Sequence, residues 1–177
     1  MFEDPVKEFI SWMRVIFLTV LIVLGSRYFL FEPVAVHGES MMPTFEENDK
    51  VMLFKIHTIE NFDMIVFKAP NGVNFIKRVI GVPGDRISMK DDQLYVNGTP
   101  QAEPYLDKNR KAAEQEGLMQ LTEDFQEFVV PAESYYVLGD NRLNSMDSRV
   151  LGFISKDSVL GEVKIRLSPF EHIGFVK

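Results

Sequence analysis

The first candidate for chemistry is Ser40, in the stretch Gly-Glu-Ser-Met-Met-Pro-Thr at residues 38–44. This stretch follows directly on the only long apolar segment, Val15 to Phe31, and is stiffened by Pro43. A serine held on an extended piece of chain just outside a membrane is a candidate nucleophile. The alternative is an ordinary loop serine that hydrogen-bonds the backbone. A partner base elsewhere in the chain would favour the first interpretation.

A serine hydroxyl is a poor nucleophile unless a neighbouring base takes its proton. None of the three histidines, at positions 37, 57 and 172, sits in a recognisable nucleophile-and-base pattern. His37 is close to Ser40, but in an extended segment residues at odd separations point to opposite faces. The chain has no cysteine, which excludes thiol chemistry, disulfides and thiolate metal sites. A lysine made neutral by burial is the remaining type of base.

Lys77 is the best candidate for that base, in the stretch Asn-Phe-Ile-Lys-Arg-Val-Ile-Gly-Val-Pro-Gly-Asp at residues 74–85. In a period-two strand, Phe75, Lys77 and Val79 share one face, and the pattern indicates that this face is the core side. Burial there would disfavour the charged amine and lower its pKa. The alternative is an edge-strand lysine that discourages aggregation. Arg78, on the opposite face, fits that alternative better.

A third stretch, residues 139–149, reads Gly-Asp-Asn-Arg-Leu-Asn-Ser-Met-Asp-Ser-Arg and follows an apolar strand. It brings turn-forming residues, hydroxyls and charges together. One interpretation is a polar loop with an ion pair between Asp147 and Arg149, which contributes little stability if it is exposed. The other is a rigid turn whose hydroxyls orient a buried amine.

The element that would hold Ser40 at a membrane is the apolar stretch at residues 9–31. Its uninterrupted apolar part, residues 15–24, is shorter than the ~20 residues that a span needs. Arg14 and Arg27 can snorkel to the two interfaces, where Trp12 and Tyr28 also fit, so that the whole stretch spans. The predicted organisation is a cytoplasmic tail at residues 1–8, an anchor at 9–31 and an extracytoplasmic catalytic domain at 32–177. The short tail favours this orientation.

Two other interpretations of the apolar stretch fit less well. A cleavable secretory signal would need a small-x-small site close behind it, and acidic Glu3 and Asp4 precede it. An amphipathic surface helix would need one polar face, and both faces are apolar.

The rest of the chain is strand-rich. Short apolar or alternating runs lie at residues 34–39, 50–54, 63–67, 73–82, 86–89, 93–96, 128–130 and 135–138, with turn signals between them. The turn Pro70-Asn71-Gly72 predicts a hairpin. Many short strands with frequent turns predict a mainly β fold, a sandwich or a barrel. Residues 101–127 differ, because their charge run predicts a solvated surface excursion with one short helix and no chemistry.

Composition limits the function classes. The 177 residues suit one domain with a short appendage. A formal net charge of -7 argues against a nucleic-acid partner. The chain lacks a His/Cys cluster, so that we expect neither a metal nor another cofactor.

Taken in order, the apolar stretch and the motifs around Ser40, Lys77 and Ser145 resemble the bacterial type I signal peptidase family over nearly the whole chain. The last two motifs are long and specific. The resemblance implies a membrane-anchored domain of antiparallel β-sheets. It also implies a serine endopeptidase that cleaves signal peptides from exported preproteins after small residues.

The resemblance assigns roles by motif position. It implies Ser40 as the nucleophile, Lys77 as the general base, Ser145 as the residue that orients the lysine amine, Asp147 and Arg149 as a structural ion pair, and Asp140 and Asn141 as residues that shape the same turn. Gly38 departs from members that carry a serine there and use its hydroxyl for the oxyanion. The oxyanion would then depend on the Ser40 backbone N–H and an unidentified second donor. Phe75 stands where some members carry tyrosine.

The expected substrate lies extended beside the strand at residues 34–38, which offers backbone partners and alternating pockets. Val34, Val36, Met41 and Ile76 are the candidate pocket residues. Small pockets would suit the small-x-small ends of signal peptides.

Two alternatives stay open at this point. The first is a different Ser/Lys peptidase, such as the self-cleaving repressor family with its related β core, although that family carries a DNA-binding domain where this chain has an apolar segment. The second is an inactive, membrane-anchored scaffold, although such a relative need not keep Ser40, Lys77 and Ser145 together.

Overall fold

A computed structural model describes residues 5–55 and 58–176, and at residues 26–29 it describes the backbone alone. Four residues of the predicted tail, 1–4, lie outside the described chain, as does His57. The side chains of Arg27 and Tyr28, for which we predict an interfacial depth, also lie outside it.

The N-terminal element is a 25-residue helix, α1, at Pro5–Phe29. Proline suits the first helical turn, where its missing N–H is not needed. At 1.5 Å per residue the helix is roughly 37 Å long, against ~30 Å for the hydrocarbon core of a bilayer. Its segment Pro5–Gly25 is long and apolar enough to cross a membrane, and its apolar side chains are not buried against the domain. The helix begins four residues before the first residue of the predicted anchor and ends two residues before its last residue.

The described residues after α1 form twelve strands, two α-helices and three 3₁₀ turns. The strands are β1 Phe31–Ala35, β2 Lys50–Phe54, β3 Met64–Lys68, β4 Asn74–Gly81, β5 Arg86–Lys90, β6 Gln93–Val96, β7 Thr99–Pro100, β8 Phe125–Val129, β9 Ser134–Leu138, β10 Ile154–Ser155, β11 Val159–Ser168 and β12 Gly174–Phe175. The helices are α2 Asp107–Gln115 and α3 Ser148–Leu151, and the 3₁₀ turns are Pro104–Leu106, Lys156–Ser158 and Phe170–His172. The predicted mainly β class with one N-terminal apolar helix is confirmed.

The strands form two antiparallel sheets. The larger has the order β1-β2-β11-β3-β4-β9-β10, with β12 also paired to β11, and the smaller has the order β7-β6-β5-β8. The predicted turn at residues 70–72 joins β3 to β4, with Ala69 N–H donating to Val73 O at 2.9 Å. Strand β11 is not among the predicted strands, although charged residues at 162, 164 and 166 alternate with apolar ones at 163, 165 and 167.

Strand β4 lies inside the larger sheet, between β3 and β9, so that Lys77 is not on an edge strand. The interpretation of Arg78 as an edge-strand charge that discourages aggregation is wrong, since β4 is not an edge strand and the Arg78 side chain is only 1% exposed. The physical reason is that both faces of β4 are covered. The Tyr105 ring lies 4.0 Å from the Arg78 guanidinium carbon, and Ile80, on the same face, packs with Ile87 of the smaller sheet.

Three apolar clusters hold these sheets together. The first fills the side of the larger sheet that faces the Ser40 stretch, the second joins the two sheets, and the third covers the opposite side of β3, β4 and β9. Their buried members are Val36, Met41, Phe45, Val51, Leu53, Met64, Val66, Ile76 and Val163 in the first, Ile80, Ile87, Met89, Leu94, Val96, Val130, Tyr136 and Leu138 in the second, and Ile65, Phe67, Ala69, Val79, Tyr135, Val137 and Ile154 in the third. Strand β4 contributes to all three clusters, which fixes Lys77 in space.

The predicted short helix in residues 101–127 is α2, which is preceded by the turn Pro104–Leu106. Most charged residues of this segment are exposed, as expected. However, Leu106, Ala113 and Leu121 form a small buried cluster, and Glu103 is also buried. The segment therefore packs onto the domain, and the charge run does not reveal this.

Candidate active site

Ser40 and Lys77 meet at the site, although 37 residues separate them in the chain. A hydrogen bond of 2.6 Å joins Ser40 Oγ and Lys77 Nζ. The same amine donates to the carbonyl oxygen of Ile76 at 3.0 Å. Ser40 is half-buried, so a substrate can reach its hydroxyl from solvent. A hydroxyl that borders solvent beside a buried amine is the arrangement that a nucleophile and its base need.

The lysine is held in an apolar environment. Lys77 is only 2% exposed, and its Nζ lies 5.1 Å from the centre of the Phe75 ring. Burial lowers the pKa of Lys77 from 10.5 to about 8, against the opposing influence of the Asp147 and Asp140 carboxylates. Neither carboxylate is bonded to the amine. The amine can therefore lose its proton at a pH close to neutral.

The turn that carries Ser40 is fixed from both sides. On the core side, Met41 and Phe45 are fully buried, and Phe45 N–H donates to Met41 O at 3.0 Å. On the other side, Asn141 N–H donates to Ser40 O at 3.0 Å, and its side-chain amide donates to Glu39 O at 3.2 Å. The serine backbone is thus held between the apolar core and the loop at residues 139–149.

Gly139 allows that loop to approach the serine. A Cβ atom at this position would lie 2.5 Å from Ser40 O and 2.2 Å from Ser145 Oγ. Both distances are far inside van der Waals contact, and one of the atoms belongs to backbone. Any side chain at residue 139 would therefore push the loop away from Ser40. Gly139 opens the motif at residues 139–149, and a glycine directly after an apolar strand is the sequence signal for a close backbone approach.

Ser145 is half-buried in this loop, and its Oγ atom is shielded from solvent. Its Oγ makes no hydrogen bond of normal geometry with any described residue, and the structure shows none to Lys77. It lies next to the Asp147 carboxylate, which its hydroxyl helps to keep ionised. The role implied for Ser145, orienting the lysine amine, stays a prediction.

Asp147 anchors the same loop. Arg149 donates to it through Nε at 2.9 Å and through Nη2 at 2.8 Å, and Gly139 N–H donates to it at 3.0 Å. Burial by itself raises the pKa of the Asp147 carboxyl, but these hydrogen bonds and the Arg149 charge lower it by more, so that it lies below its ordinary value. The predicted ion pair is present, and its acid is fully buried.

Asp140 has a partner that the motif alone does not reveal. Its carboxylate accepts from Arg78 Nε at 2.9 Å and Nη2 at 2.7 Å, with both side chains 1% exposed. Thr44 Oγ1 donates to the same carboxylate at 2.5 Å. Asp140 therefore joins β4 to the chain just after Ser40, and does more than shape its own turn.

A second buried ion pair supports the loop from the segment that precedes α2. Arg142 donates through Nη2 to Glu103 at 2.5 Å, through Nη1 to Thr122 Oγ1 at 2.9 Å and through Nε to Gly139 O at 3.1 Å. Asn109 donates to Met42 O at 2.9 Å and to Asp140 O at 2.8 Å. These contacts join segments that are distant in sequence, and no local pattern signals them.

A groove of about 360 Å³ is lined by residues that directly precede the Ser40 stretch and Lys77 in the chain. Three of the four predicted pocket residues, Val34, Val36 and Ile76, line it, together with Glu32, Pro33, Ala35, His37, Val51, Val66, Asn74 and Phe75. Met41 does not line it, since its side chain is fully buried in the first apolar cluster. The reason is that residues 41–45 form a turn, which places Met41 and Phe45 on one inward side.

Gly38 occupies a backbone conformation that favours glycine, with φ at 84°. A Cβ atom would meet nothing within 4 Å, so the backbone angle, rather than the available space, favours glycine here. Its N–H donates to the Glu47 carboxylate. No described residue accepts a hydrogen bond from the Ser40 N–H, which leaves that donor available to a ligand.

Comparison with known proteins identifies the family. The sequence model of the family described as signal peptidase, peptidase S26, matches residues 9–168. Signal peptidase I T of Bacillus subtilis (strain 168) is 42% identical over 177 residues, covering 97% of this chain and 91% of that protein. Signal peptidase IB of Staphylococcus aureus (strain MRSA252) is 36% identical over 180 residues, covering 96% and 94%.

A solved structure agrees with these sequence relatives. The crystal structure of a signal peptidase I from Enterococcus faecalis V583 shares 38% identity and a TM-score of 0.56, covering 60% of this chain and 97% of that one. The match extends the likeness from sequence to fold. With the motifs around Ser40, Lys77 and Ser145 assembled at one site, this chain belongs to the signal peptidase family, peptidase S26.

Proposed function

We propose that this chain is a serine endopeptidase that cleaves N-terminal signal peptides from exported preproteins after small residues. Ser40 is the nucleophile and Lys77 is the general base. The observation that carries the proposal is the 2.6 Å hydrogen bond between Ser40 Oγ and the buried amine of Lys77. The relatives named signal peptidase I support the class of substrate.

Catalysis requires the neutral form of the lysine. A lysine with a pKa of about 8 is half neutral at pH 8, whereas roughly 0.4% of an unperturbed lysine is neutral there. The neutral Nζ takes the proton of Ser40 Oγ as that oxygen bonds to the scissile carbonyl carbon. The resulting ammonium then gives its proton to the leaving amine nitrogen as the C–N bond breaks.

The second half of the reaction removes the acyl group from Ser40. Lys77, neutral again, takes a proton from a water molecule that attacks the ester carbon. The proton passes back to Ser40 Oγ as the ester bond breaks. One lysine thereby acts as base and acid in both halves, so its pKa must lie close to the working pH.

The tetrahedral intermediates carry an oxyanion that needs a donor. The Ser40 N–H is the donor we propose, because no described residue uses it. A single contact of this class is worth roughly 3 kcal/mol in the transition state. Gly38 cannot supply a hydroxyl.

The loop at residues 139–149 holds the dyad in register. We assign Ser145 to orienting the Lys77 amine when substrate is bound, and the Asp147–Arg149 pair to keeping the loop rigid. Asp140 and Asn141 connect that loop to β4 and to the Ser40 turn.

The groove beside the dyad suits an extended peptide. Strand β1 pairs only with β2 among the described strands, and β9 pairs with β4 only from Arg78 onward. Backbone groups of β1 and of residues 74–76 are therefore open along the groove, and a peptide between them can pair with both. The walls at Val34, Val36 and Ile76 are apolar and close, which favours small side chains near the cut.

Helix α1 anchors the enzyme in a lipid bilayer, with the β domain on the extracytoplasmic side. Its length and its exposed apolar side chains support the span, and cleavage after translocation needs the site on that side. Protease added to intact spheroplasts should digest the β domain while a cytoplasmic marker survives. Digestion only in inside-out vesicles would reverse the orientation.

The proposed activity is tested with full-length enzyme in detergent and a labelled preprotein that has small residues at the leader junction. The wild type should cut at that junction. Ser40→Ala should fold and show no cleavage, because no other hydroxyl occupies an equivalent position. Near wild-type turnover by this variant would remove Ser40 from the mechanism and reject the proposed active site.

A further inference from the structure

We propose that Asn109 on α2 is a positioning residue for the Ser40–Lys77 dyad. This inference rests on the proposed function. It concerns a helix in the charged segment at residues 101–127, to which sequence analysis assigns no chemistry. The observation behind it is one side-chain amide that joins the two chain segments on either side of the dyad.

The amide of Asn109 has two N–H donors, and both are used. One donates to Met42 O at 2.9 Å, two residues after the nucleophile. The other donates to Asp140 O at 2.8 Å, in the loop at residues 139–149. Since backbone carbonyls accept only, a side chain with two donors on one nitrogen fits this position, and aspartate does not. Asn109 therefore ties the serine turn to the loop through main-chain atoms.

Each of the two residues that accept a hydrogen bond from Asn109 is linked to one member of the dyad. Met42 follows Ser40 in the same tight turn, where Met42 N–H donates to Glu39 O at 3.0 Å. The Asp140 side chain holds Arg78, which neighbours Lys77 on β4. A shift between these two segments would change the distance from Ser40 Oγ to Lys77 Nζ directly.

Helix α2 is itself firmly anchored, so that it can hold Asn109 in place. Leu106 and Ala113, at either end of it, are buried. In the turn before it, the Tyr105 ring stacks on the Arg78 guanidinium, and its hydroxyl donates to Glu103 at 2.7 Å. Glu103 in turn pairs with Arg142 of the loop. Helix α2 and the turn before it thus support the dyad, although they lie outside the three sequence motifs.

The Asn109 amide should contribute to kcat rather than to substrate binding. The substrate groove is lined by residues 32–37, 51, 66 and 74–76, and both hydrogen bonds of the Asn109 amide go to residues outside this lining. The Phe75 ring beside the Lys77 amine belongs to β4 itself, which Asn109 does not touch through its amide hydrogen bonds. Removing the amide should therefore leave KM and the acid limb of the pH profile in place. It should lower kcat, because misplacing reacting groups by about 1 Å costs roughly 10²-fold.

The test compares Asn109→Ala and Asn109→Asp with Lys111→Ala, a substitution of an exposed residue on the same helix. Full-length proteins are assayed for preprotein cleavage across pH, with thermal melts for each. We expect a fall in kcat of roughly 10- to 100-fold for Asn109→Ala, with KM within twofold and the acid limb unmoved. Asn109→Asp should fall at least as far, because its carboxylate faces two carbonyl oxygens. Lys111→Ala should match the wild type.

Each remaining outcome separates the two proposals. Wild-type kcat in Asn109→Ala, with Ser40→Ala inactive, would overturn the positioning role and leave the proposed function intact. A loss that appears in KM, or that matches the loss of folded protein in the melts, would also overturn it. Cleavage by Ser40→Ala would instead overturn the proposed function.

Discussion

Lys77 and Arg78 are adjacent basic residues on β4, both almost fully buried, and the structure treats them in opposite ways. Arg78 lies 2.7 Å from a buried carboxylate, Asp140, and contacts it through two nitrogens. Lys77 has a hydroxyl and a backbone carbonyl as its hydrogen-bond partners, and its pKa is lowered to about 8. One face of the strand therefore holds a permanent ion pair, and the other holds a charge that can be lost.

The difference between the two faces follows from the chemistry of the side chains. Guanidinium does not deprotonate in proteins, so its burial requires a partner anion. An amine can be buried without one, because it can release its proton. A buried cation with an anion thus serves stability, and a buried amine without one can serve catalysis. Substitutions on the two faces should therefore affect activity at Lys77 and stability at Arg78 and Asp140.

The largest effect is expected from Lys77→Arg. This variant keeps the positive charge but cannot act as a base, so kcat/KM for preprotein cleavage should fall by at least roughly 10⁴-fold. Lys68→Arg, at an exposed lysine on the adjacent strand β3, is the matched control and should cleave normally. Appreciable activity in Lys77→Arg would show that the reaction does not need a neutral amine at this position.

The Arg78 face should respond in stability. Asp140→Asn leaves the guanidinium buried without its anion, which should lower the free energy of unfolding by about 3–5 kcal/mol. Denaturant unfolding of the variant and the wild type measures this loss. The double variant Arg78→Met with Asp140→Leu removes both charges and should recover much of it. An Asp140→Asn protein as stable as the wild type would mean that the ion pair does not hold β4 to the loop.

Removing the charge on the Lys77 face should stabilise the protein, whereas Asp140→Asn on the Arg78 face should destabilise it. Lys77 binds fewer protons in the folded protein than in the unfolded chain between pH 8 and pH 10.5, because its pKa is lowered only in the fold. The contribution of Lys77 to stability should therefore rise with pH across that window, and the difference between the wild type and a Lys77 variant isolates it. Lys77→Met should raise the free energy of unfolding at pH 7 by at most about 3 kcal/mol, and with it the melting temperature. This gain should shrink as the pH approaches 10.5. A constant difference between variant and wild type across this range would argue against a lowered pKa.

Local sequence patterns predict much of the fold and the centre of the site. The period-two strand around Lys77 and the turn signals between strands depend on neighbouring residues alone. The predicted strands at residues 50–54 and 93–96 match β2 and β6. The three motifs also lie at one site, with Ser40 and Lys77 in hydrogen-bond contact.

What local patterns miss depends on partners that are distant in sequence. The partner of Arg78 lies 62 residues later, so its burial cannot be inferred from strand alternation. Asn109 is one polar residue in a charged helix, and only the tertiary fold brings it to Met42. An extended segment predicts Met41 in the groove, but the chain turns there and directs its side chain into the core.

The proposed mechanism requires that the Lys77 amine is neutral in a large fraction of the enzyme molecules near pH 8. Nuclear magnetic resonance of full-length enzyme labelled with ¹³C at the lysine ε-carbons, titrated from pH 6 to pH 11, measures this directly. We predict one lysine signal that titrates near pH 8, below the ~10.4 of an unperturbed lysine in a model peptide, and that is absent from Lys77→Met. A Lys77 signal that titrates at that unperturbed value would contradict the proposed mechanism.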